Sequence, residues 1–344
     1  MSVNNQDLKL SILDIGNKLQ GNDASQTLKD SIERVQLAEE LGYTRYWFAE
    51  HHNTAFQVST SPELMIAHAA AHTKRIHVGA GGIMMPNHSP LKVVENFSLL
   101  KALHGDRIDL GIGRATGTDN LTAYALRRSK EAVTSYEFPE QFNELLSFFQ
   151  RNFPANHPYS GIIPIPNDGK DSLIPDMYML GSSTGGVGFA IEEGLGFVFA
   201  SHLAPHLAVP ILKRYHNKFK PSVHMSEPKG IFSTILITAE TDEEANYLAG
   251  PVELYWARLQ SGDIHSPFPT AEEASKHVYS ANEKAAREQN KDRFIIGGIK
   301  TVSEKLRDIA QEAMVDEVMI MDFYSDKKAS HKAYRLLAEE FNLQ

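Results

Sequence analysis

Short apolar runs alternate with helical repeats along most of the chain, and this alternation constrains the fold more than any other feature. The apolar runs have the length of buried strands, and the segments between them carry apolar residues at steps of three and four. Eight strands are predicted, at residues 8–15, 45–49, 76–85, 107–113, 177–183, 196–201, 230–238 and 316–322. Strand followed by helix, repeated in this way, is typical of a parallel sheet.

Capping signals mark where several of the intervening helices begin or end. The first helix keeps its apolar spacing through Leu28, Ile32, Val35, Ala38 and Leu41 and is predicted to end at Gly42. Later helix starts are predicted by Ser-Pro at 61–62 and at 89–90, and by the capping-box pairs Thr241 with Glu244 and Thr301 with Glu304.

Two segments interrupt the rhythm, 153–176 and 259–300, and the second is predicted to carry short helices of its own. Because the rhythm resumes after each, both are predicted to be insertions within a single domain that covers residues 1–344. The absence of a fold-wide Gly-rich dinucleotide fingerprint favours a closed (β/α)8 TIM barrel with insertions in the βα loops over an open doubly wound sheet. Such loops commonly carry function, so we expect the insertions to act as lids.

Charge and cysteine content limit the partners and the compartment. Lys and Arg total 34 against 43 Asp and Glu, a net charge of -9, which gives little electrostatic support for a nucleic-acid or anionic-membrane partner. Cys is absent, so disulfides, thiolate nucleophiles and Cys-based metal sites are excluded. The first residues lack a signal-peptide pattern, and no apolar run of about 18 residues occurs. We expect a cytoplasmic protein without a membrane partner.

In a barrel, functional residues belong at the carboxyl ends of the strands. The second predicted strand ends in Glu50, His51 and His52, and alternation along an extended chain allows only one of the two histidines to face the barrel axis. Asp14 and the pair Ser201 and His202 occupy other strand ends. Taken alone, a polar cluster at a strand end is compatible with a purely structural role.

Glycine-rich stretches follow three other strands: "GAGGIMM" at 79–85, "GIGRATG" at 111–117 and "GSSTGGVG" at 181–188. Small residues let a flat ring or a phosphate approach the backbone, and Arg114 offers a guanidinium for phosphate oxygens. The third stretch lies between a strand and a helix, where backbone N–H groups can bind an anion. Together these stretches indicate a phosphate-bearing cofactor, with Gly-rich turns or a bulge as the structural alternatives.

The spacing of His68 and His72 places both on one helix face, which invites a metal interpretation. However, the Glu that follows the first His in metalloprotease helices is missing, and the pair is predicted to lie mid-helix, away from the strand ends. We therefore expect no metal site. A metal-dependent hydrolase using His51, His52 and His68 remains an alternative.

The motifs "LGYTRYWFAEHHN", "IHVGAGGIMMPNHSPLKVVENF", "GDRIDLGIGRATGTD" and "MYMLGSSTGGVGFA" carry a resemblance that spans almost the whole chain. In this order and spacing they resemble the bacterial luciferase-like family of flavin-dependent monooxygenases. The resemblance implies a TIM barrel that binds FMN, a homodimer, and a separate flavin reductase that supplies reduced FMN. Light emission is not implied.

The resemblance also implies roles for particular residues. His51 matches the active-site histidine beside the flavin, and Gly81 and Gly82 match a pair, often joined by a cis peptide, that lies against the isoalloxazine ring. Arg114 matches the phosphate-binding arginine, with Thr116 beside it, and Ser182 and Ser183 match positions that close on the same phosphate. Gly113 stands where luciferase has a cysteine, and Ser182 where luciferase has an acidic residue.

The implied function is oxygenation of a small organic substrate by reduced FMN and dioxygen, in an alkanal monooxygenase-like, non-luminescent, two-component enzyme. His51 would supply the acid-base group, because the ordinary pKa of histidine lies near neutrality. Two alternatives remain on the same fold. One is a hydride-transfer enzyme that uses the deazaflavin coenzyme, and the other is a flavin-binding protein without turnover. The substrate region near the first strand, 14–18, departs from the "LDQSP"-like turn of many relatives.

Overall fold

The computed structural model describes residues 8–128, 137–166, 173–263 and 266–344. Eight parallel strands close into a barrel, which confirms the predicted fold class. They are β1 (Lys9–Asp14), β2 (Arg45–Phe48), β3 (His77–Met84), β4 (Ile108–Gly113), β5 (Asp176–Gly181), β6 (Gly196–Ala200), β7 (Gly230–Ala239) and β9 (Glu317–Met321). Neighbours pair in chain order from β1 to β7, and β9 closes the barrel between β7 and β1.

Helices connect the strands and cover the outside of the barrel. Those in the described ranges are α1 (Ala24–Glu40), α2 (Pro62–Ala71), α3 (Pro90–His104), α4 (Asn120–Arg127), α5 (Phe138–Gln150), α6 (Thr184–Glu193), α7 (Ala208–Lys218), α8 (Asp242–Gln260), α9 (Ala271–Lys276), α10 (Ala281–Asn290), α11 (Ile299–Ala313) and α12 (Lys327–Glu340). Among these described helices, none is long and apolar enough to cross a membrane.

The excursion at 259–300 contains the predicted short helices, α9 and α10, and also a strand that was not predicted. This strand, β8 (Phe294–Gly298), pairs with the second half of β7, beyond the point where β7 leaves β9. A run of three apolar residues followed by two glycines is too short for periodicity to identify. The ring of Phe268 packs near those of Phe56 and Phe323, which follow β2 and β9. The excursion therefore reaches the carboxyl rim of the barrel, as expected of a lid.

The prediction of a lid at 153–176 is wrong. Its described residues follow α5, which returns the chain to the amino end of the barrel, and they lead into β5 at Asp176. Asp176 accepts a 2.9 Å hydrogen bond from Lys229, the residue before β7. Because parallel strands begin at the same face, this loop lies at the opposite end from the candidate site; residues 167–172 lie outside the described part of the chain.

Three of the four predicted helix starts are confirmed. Ser-Pro at 61–62 and at 89–90 begins α2 and α3, and Thr241 caps α8 by accepting from the Glu244 backbone N–H at 3.2 Å. The prediction at Thr301 is wrong, because this residue lies inside α11, whose N-cap is Gly298. The backbone N–H of Gly298 donates instead to Asp242 at 2.6 Å.

Buried charges fill the amino half of the barrel and are paired with one another. Arg45 on β2 donates to Glu317 on β9 at 2.6 Å and to Asp109 on β4 at 2.8 Å. The indole Nε1 of Trp47 donates to the same Asp109 at 2.9 Å. Charges removed from water need such partners. The charged groups on the floor of the barrel are thus paired with one another.

Candidate functional site

A cavity of about 260 Å³ lies at the carboxyl ends of the barrel strands. Residues from all eight barrel strands or the loops that follow them contribute to its wall. Six of the eight predicted site residues line it: His51, Gly81, Gly82, Gly113, Arg114 and Ser182. The carboxyl end of a parallel barrel is where ligands bind, so the sequence and the geometry identify the same place.

Strand alternation separates the two adjacent histidines. Arg45 and Trp47 point into the barrel, and the same two-residue period brings His51 to the cavity wall. The Nδ1 atom of His51 is buried and has no hydrogen-bond partner among the described residues. His52 points away, and its Nε2 contacts Glu50 at 2.9 Å.

The acid-base behaviour of His51 differs from the expectation for an ordinary histidine. Burial lowers its pKa to about 4, since the neighbouring charge of Glu50 does not compensate for lost solvation. The imidazole is therefore neutral near pH 7. In that state one ring nitrogen can accept a proton, but the ring is not a charged proton donor.

Glu50 has a role that the sequence did not reveal. Its carboxylate is fully buried and accepts from the Met84 backbone N–H at 2.8 Å and from Asn87 at 3.0 Å. The Nε2 atoms of His52 and His88 each lie 2.9 Å from it. Burial alone would raise the pKa of Glu50, but the hydrogen bond and charge of His88, together with the hydrogen bonds from Met84 and Asn87, leave the pKa below its ordinary value. The carboxylate thus joins the end of β2 to the end of β3.

Gly81 and Gly82 line the cavity and are joined by a cis peptide bond. A Cβ atom on Gly81 would lie 2.5 Å from the side chain of Leu13, and one on Gly82 would lie 2.7 Å from the carbonyl oxygen of Gly111. The register with β4 also shifts here, so the bulge considered as a structural alternative is present. Packing within the barrel therefore requires Gly82, which faces a backbone carbonyl, whereas a side chain at Gly81 would have to displace the end of the Leu13 side chain.

Arg114 lies against the first turn of α6. A Cβ atom on Gly185 would come within 2.8 Å of its guanidinium, so the absence of a side chain there makes room for the arginine. Ser182 lines the cavity just before this helix, and Ser183 is its exposed N-cap, with no side-chain capping bond. A guanidinium beside the N–H groups of a helix start is a favourable environment for a phosphate.

Thr116 and Ser183 do not line the cavity. The carbonyl oxygen of Thr116 accepts from Asn87 at 2.8 Å, and its hydroxyl donates to the Thr118 carbonyl at 3.2 Å. Thr116 thus holds the loop after β4 to the loop after β3. Ser183 lies outside the cavity, exposed at the start of α6.

Two further polar side chains line the cavity from the side of β6 and β7. His202, which follows β6, and Ser233, on β7, are both buried. The Nδ1 atom of His202 and the Oγ atom of Ser233 have no hydrogen-bond partner among the described residues. Burial lowers the pKa of His202 to about 4, so its ring is also neutral near pH 7. A histidine directly after an apolar strand was the sequence signal, but it carried no assigned role.

His68 and His72 do not contribute to the cavity. Their rings pack edge to face at 4.5 Å, and Nδ1 of His72 lies 2.8 Å from the His68 carbonyl oxygen. Within the described ranges, no group of three or more His, Cys, Asp or Glu side chains could hold a metal ion.

The donor set of the cavity fits FMN. Arg114 and the start of α6 suit the phosphate, and Gly81 and Gly82 at the end of β3 border the cavity, where a planar ring can approach their backbone. The unpartnered Nδ1 of His51 offers a hydrogen bond to a group in the cavity.

Comparison with known proteins identifies the family of the chain. The model of the luciferase-like monooxygenase family matches residues 9–338. The uncharacterized protein YceB of Bacillus subtilis is 39% identical over 97% of this chain and 99% of its own length. The luciferase-like monooxygenase of Escherichia coli is 33% identical over 96% of both chains, and the N-acetyl-S-alkylcysteine monooxygenase of Bacillus subtilis is 30% identical over 96% of this chain and 98% of its own.

Solved structures share the fold along almost the whole chain. Apo-MsnO8 superimposes with a TM-score of 0.86, at 29% identity and 99% coverage of both chains. The FMN complex of the oxygenating constituent of 3,6-diketocamphane monooxygenase from Pseudomonas putida gives 0.68 at 17% identity, covering 97% of each chain. The coenzyme F420-dependent tetrahydromethanopterin reductase of Methanopyrus kandleri gives 0.65 at 16%, covering 97% and 98%. On the family match and these identities, the chain belongs to the luciferase-like monooxygenase family.

Proposed function

We propose that this protein is an FMN-dependent monooxygenase that uses reduced FMN and dioxygen to oxygenate a small organic substrate. A separate flavin reductase would supply the reduced FMN. The observation that carries the proposal is the convergence of His51, the Gly81–Gly82 strand end and Arg114 on one cavity. When bound, FMN supplies the redox chemistry, while the protein binds, orients and desolvates the reactants.

Arg114 and α6 are proposed to bind the FMN phosphate. The guanidinium lies over the glycines of the first helical turn, where backbone N–H groups lack helical partners. Ser182 and Ser183 add hydroxyl groups at the same helix start. A phosphate bound there would direct the ring toward the cavity.

His51 is proposed to be the acid-base group of the site. Its buried Nδ1 has no partner, and the neutral ring can accept a proton and return it as the reaction proceeds. Around it, Leu13, Leu180 and Met321 give the cavity an apolar wall. Such a wall excludes water and strengthens the remaining hydrogen bonds.

The deazaflavin coenzyme is the alternative cofactor, since the same fold occurs in a coenzyme F420-dependent reductase. The test is to titrate the purified protein with FMN and with F420 under identical conditions and follow their fluorescence. We expect FMN to bind and F420 to bind more weakly. Selective F420 binding would overturn the proposal.

Turnover is tested with reduced FMN, labelled dioxygen and a panel of organic sulfides, aldehydes and ketones. Label in one product supports a monooxygenase. FMN binding without label in any product would favour the alternative of a flavin-binding protein without turnover.

Replacing Arg114 by Ala should weaken FMN binding by about 1.5 to 3 kcal/mol, about tenfold or more, because a charge-assisted phosphate contact is lost. Riboflavin, which differs from FMN by lacking the phosphate, should bind the variant and the wild type equally. Fluorescence titration of both ligands measures this. Arg335→Ala, on the exposed face of α12, is the matched control and should change neither affinity. An equal loss for both ligands would show that Arg114 does not act on the phosphate.

We also propose that the protein is a homodimer. The support is an apolar surface on two neighbouring helices, α2 and α3, where Leu64, Leu99 and Leu103 are 69%, 50% and 65% exposed. Leu99 and Leu103 are four residues apart and so lie on one face of α3. Large apolar side chains exposed on neighbouring helices are typical of an interface.

A further inference from the structure

We propose that His202 and Ser233 form the polar end of a substrate subsite, which takes a small uncharged molecule with an apolar body and one hydrogen-bonding group, such as a carbonyl. This inference rests on the proposed function and names the substrate class of the same cavity. β6 and β2 are four strands apart in the eight-stranded barrel, so His202 faces the cavity from the side opposite His51.

Two buried polar atoms at this end of the cavity lack hydrogen-bond partners. Nδ1 of His202 and Oγ of Ser233 are buried at the cavity wall and have no partner among the described residues. A buried polar atom without a hydrogen bond costs about 1 to 3 kcal/mol, and native proteins leave few of them. A ligand group placed between these atoms would remove that cost. The charged groups on the barrel floor, in contrast, already satisfy one another.

The backbone of His202 is held in place by Arg293. Arg293, just before β8, donates to the His202 carbonyl oxygen at 2.5 Å and to that of Leu203 at 3.2 Å. Its guanidinium lies 5.3 Å from the ring centroid of Trp256 on α8. The loop after β6 is therefore fixed from outside the cavity. A side chain on a backbone held in this way loses less conformational entropy when it binds a ligand.

The surroundings of His202 and Ser233 suit an uncharged group. Val198 on β6 and Met319 on β9, the two barrel strands that flank β7, make the wall near this end apolar. Glu50, the carboxylate in the lining, already accepts hydrogen bonds from four groups. Both histidines are neutral near pH 7, so neither offers a charge to an anion. Arg114, the guanidinium in the lining, is assigned to the FMN phosphate, and Arg293 donates to two carbonyl oxygens outside the cavity. A charged substrate group at this end would therefore be buried without a counter-ion of its own, which is far more costly than burying a carbonyl that receives a hydrogen bond.

The test uses the full chain with FMN bound and three ring compounds of similar size: cyclohexanone, cyclohexane and cyclohexanecarboxylate. Ligand-observed NMR gives their dissociation constants, and fluorescence gives that of FMN in the same samples. We expect the wild type to bind cyclohexanone about tenfold more tightly than either of the others. His202→Leu should abolish that preference, and Ser233→Ala should reduce it about threefold, without a change in FMN affinity. His202→Asn, which keeps a nitrogen near the Nδ1 position, should retain most of it.

Equal affinities of the wild type for the three compounds, or no binding of any, would overturn the proposal. So would a preference that survives both His202→Leu and Ser233→Ala, or a loss of FMN affinity that accompanies the loss of preference. If His202→Leu does not fold, Ser233→Ala decides, since it removes a single hydroxyl. Failure of the wild type to bind FMN is a separate outcome and would overturn the proposed function instead.

Discussion

His51 is a residue whose protonation the fold opposes. A histidine in an unfolded chain has a pKa near 6.5, and burial lowers that of His51 to about 4. As the pH falls through this window, the unfolded state binds a proton that the folded state does not, so the free energy of unfolding decreases. Above the window, the residue has no effect of this kind.

His51→Gln should remove this source of acid sensitivity. Between about pH 7 and about pH 5, we expect the wild type to lose about 1 to 2 kcal/mol more stability than the variant. Urea unfolding at several pH values measures the difference. The variant should also keep its FMN affinity while losing turnover. An identical pH dependence in both proteins would contradict the low pKa, and full turnover in the variant would contradict the proposed role.

At the scale of elements, Glu50 connects the strand that carries His51 to the strand that carries the glycine pair. The groups that contact its carboxylate, from the Met84 backbone, Asn87, His52 and His88, are all donors toward an ionised carboxylate. In the same network, burial would lower the pKa of His88, but the hydrogen bond and charge of Glu50 raise it. The geometry of the cavity wall thus depends on the Glu50 carboxylate, which holds the strand ends together and has no proposed part in the reaction.

Glu50→Gln is expected to destabilise the protein by about 2 to 4 kcal/mol, because the amide NH₂ would face donors inside a buried network. Urea unfolding measures this, and NMR titration should show the pKa of His88 falling. Glu272→Gln, at an exposed pair with Lys276, is the control and should change stability by less than about 0.5 kcal/mol. If the two variants are equally stable, Glu50 does not hold the strand ends together.

The elements that sequence could predict are those whose patterns are local. All eight barrel strands and the Ser-Pro helix starts follow from periodicity and capping chemistry, and strand alternation separated His51 from His52. β8 could not be found, because its pairing with the end of β7 is a tertiary contact made by a very short run. At Thr301 a local capping signal is present but has no effect. The helix α11 begins earlier, after Gly298, whose backbone N–H donates to the side chain of Asp242.

For the candidate site, the sequence predicted the positions of residues at strand ends but not the roles that depend on contacts in the folded protein. Residues tied to a strand end, such as Gly82 and Arg114, lie at the cavity, because the barrel brings all carboxyl ends together. The functions of Glu50, His202 and Ser233 were not predictable, since they depend on which partners the fold supplies and which atoms it leaves without one. The pKa of His51 is likewise a property of burial in the folded protein.

At the scale of the whole molecule, the two ends of the barrel interior differ in whether their polar groups have partners. On the floor, Arg45 pairs with both Glu317 and Asp109, whereas at the mouth several polar atoms have no partner among the described residues. Outside, the apolar surface of α2 and α3 is covered by nothing in the described part of the monomer. Association through this surface would bury it without obstructing the mouth, because α2 and α3 pack along the side of the barrel.

Replacing Leu103 by Lys should therefore convert the protein from dimer to monomer, because a charge would be placed in an apolar interface without a partner. Sedimentation velocity at about 10 μM measures the change, a concentration at which a stable interface remains associated. Val278→Lys is the control, since Val278 is 89% exposed but lies between α9 and α10, away from α2 and α3. It should leave the dimer intact. A monomeric wild type, or a Leu103→Lys variant that stays dimeric, would show that this surface is not the interface.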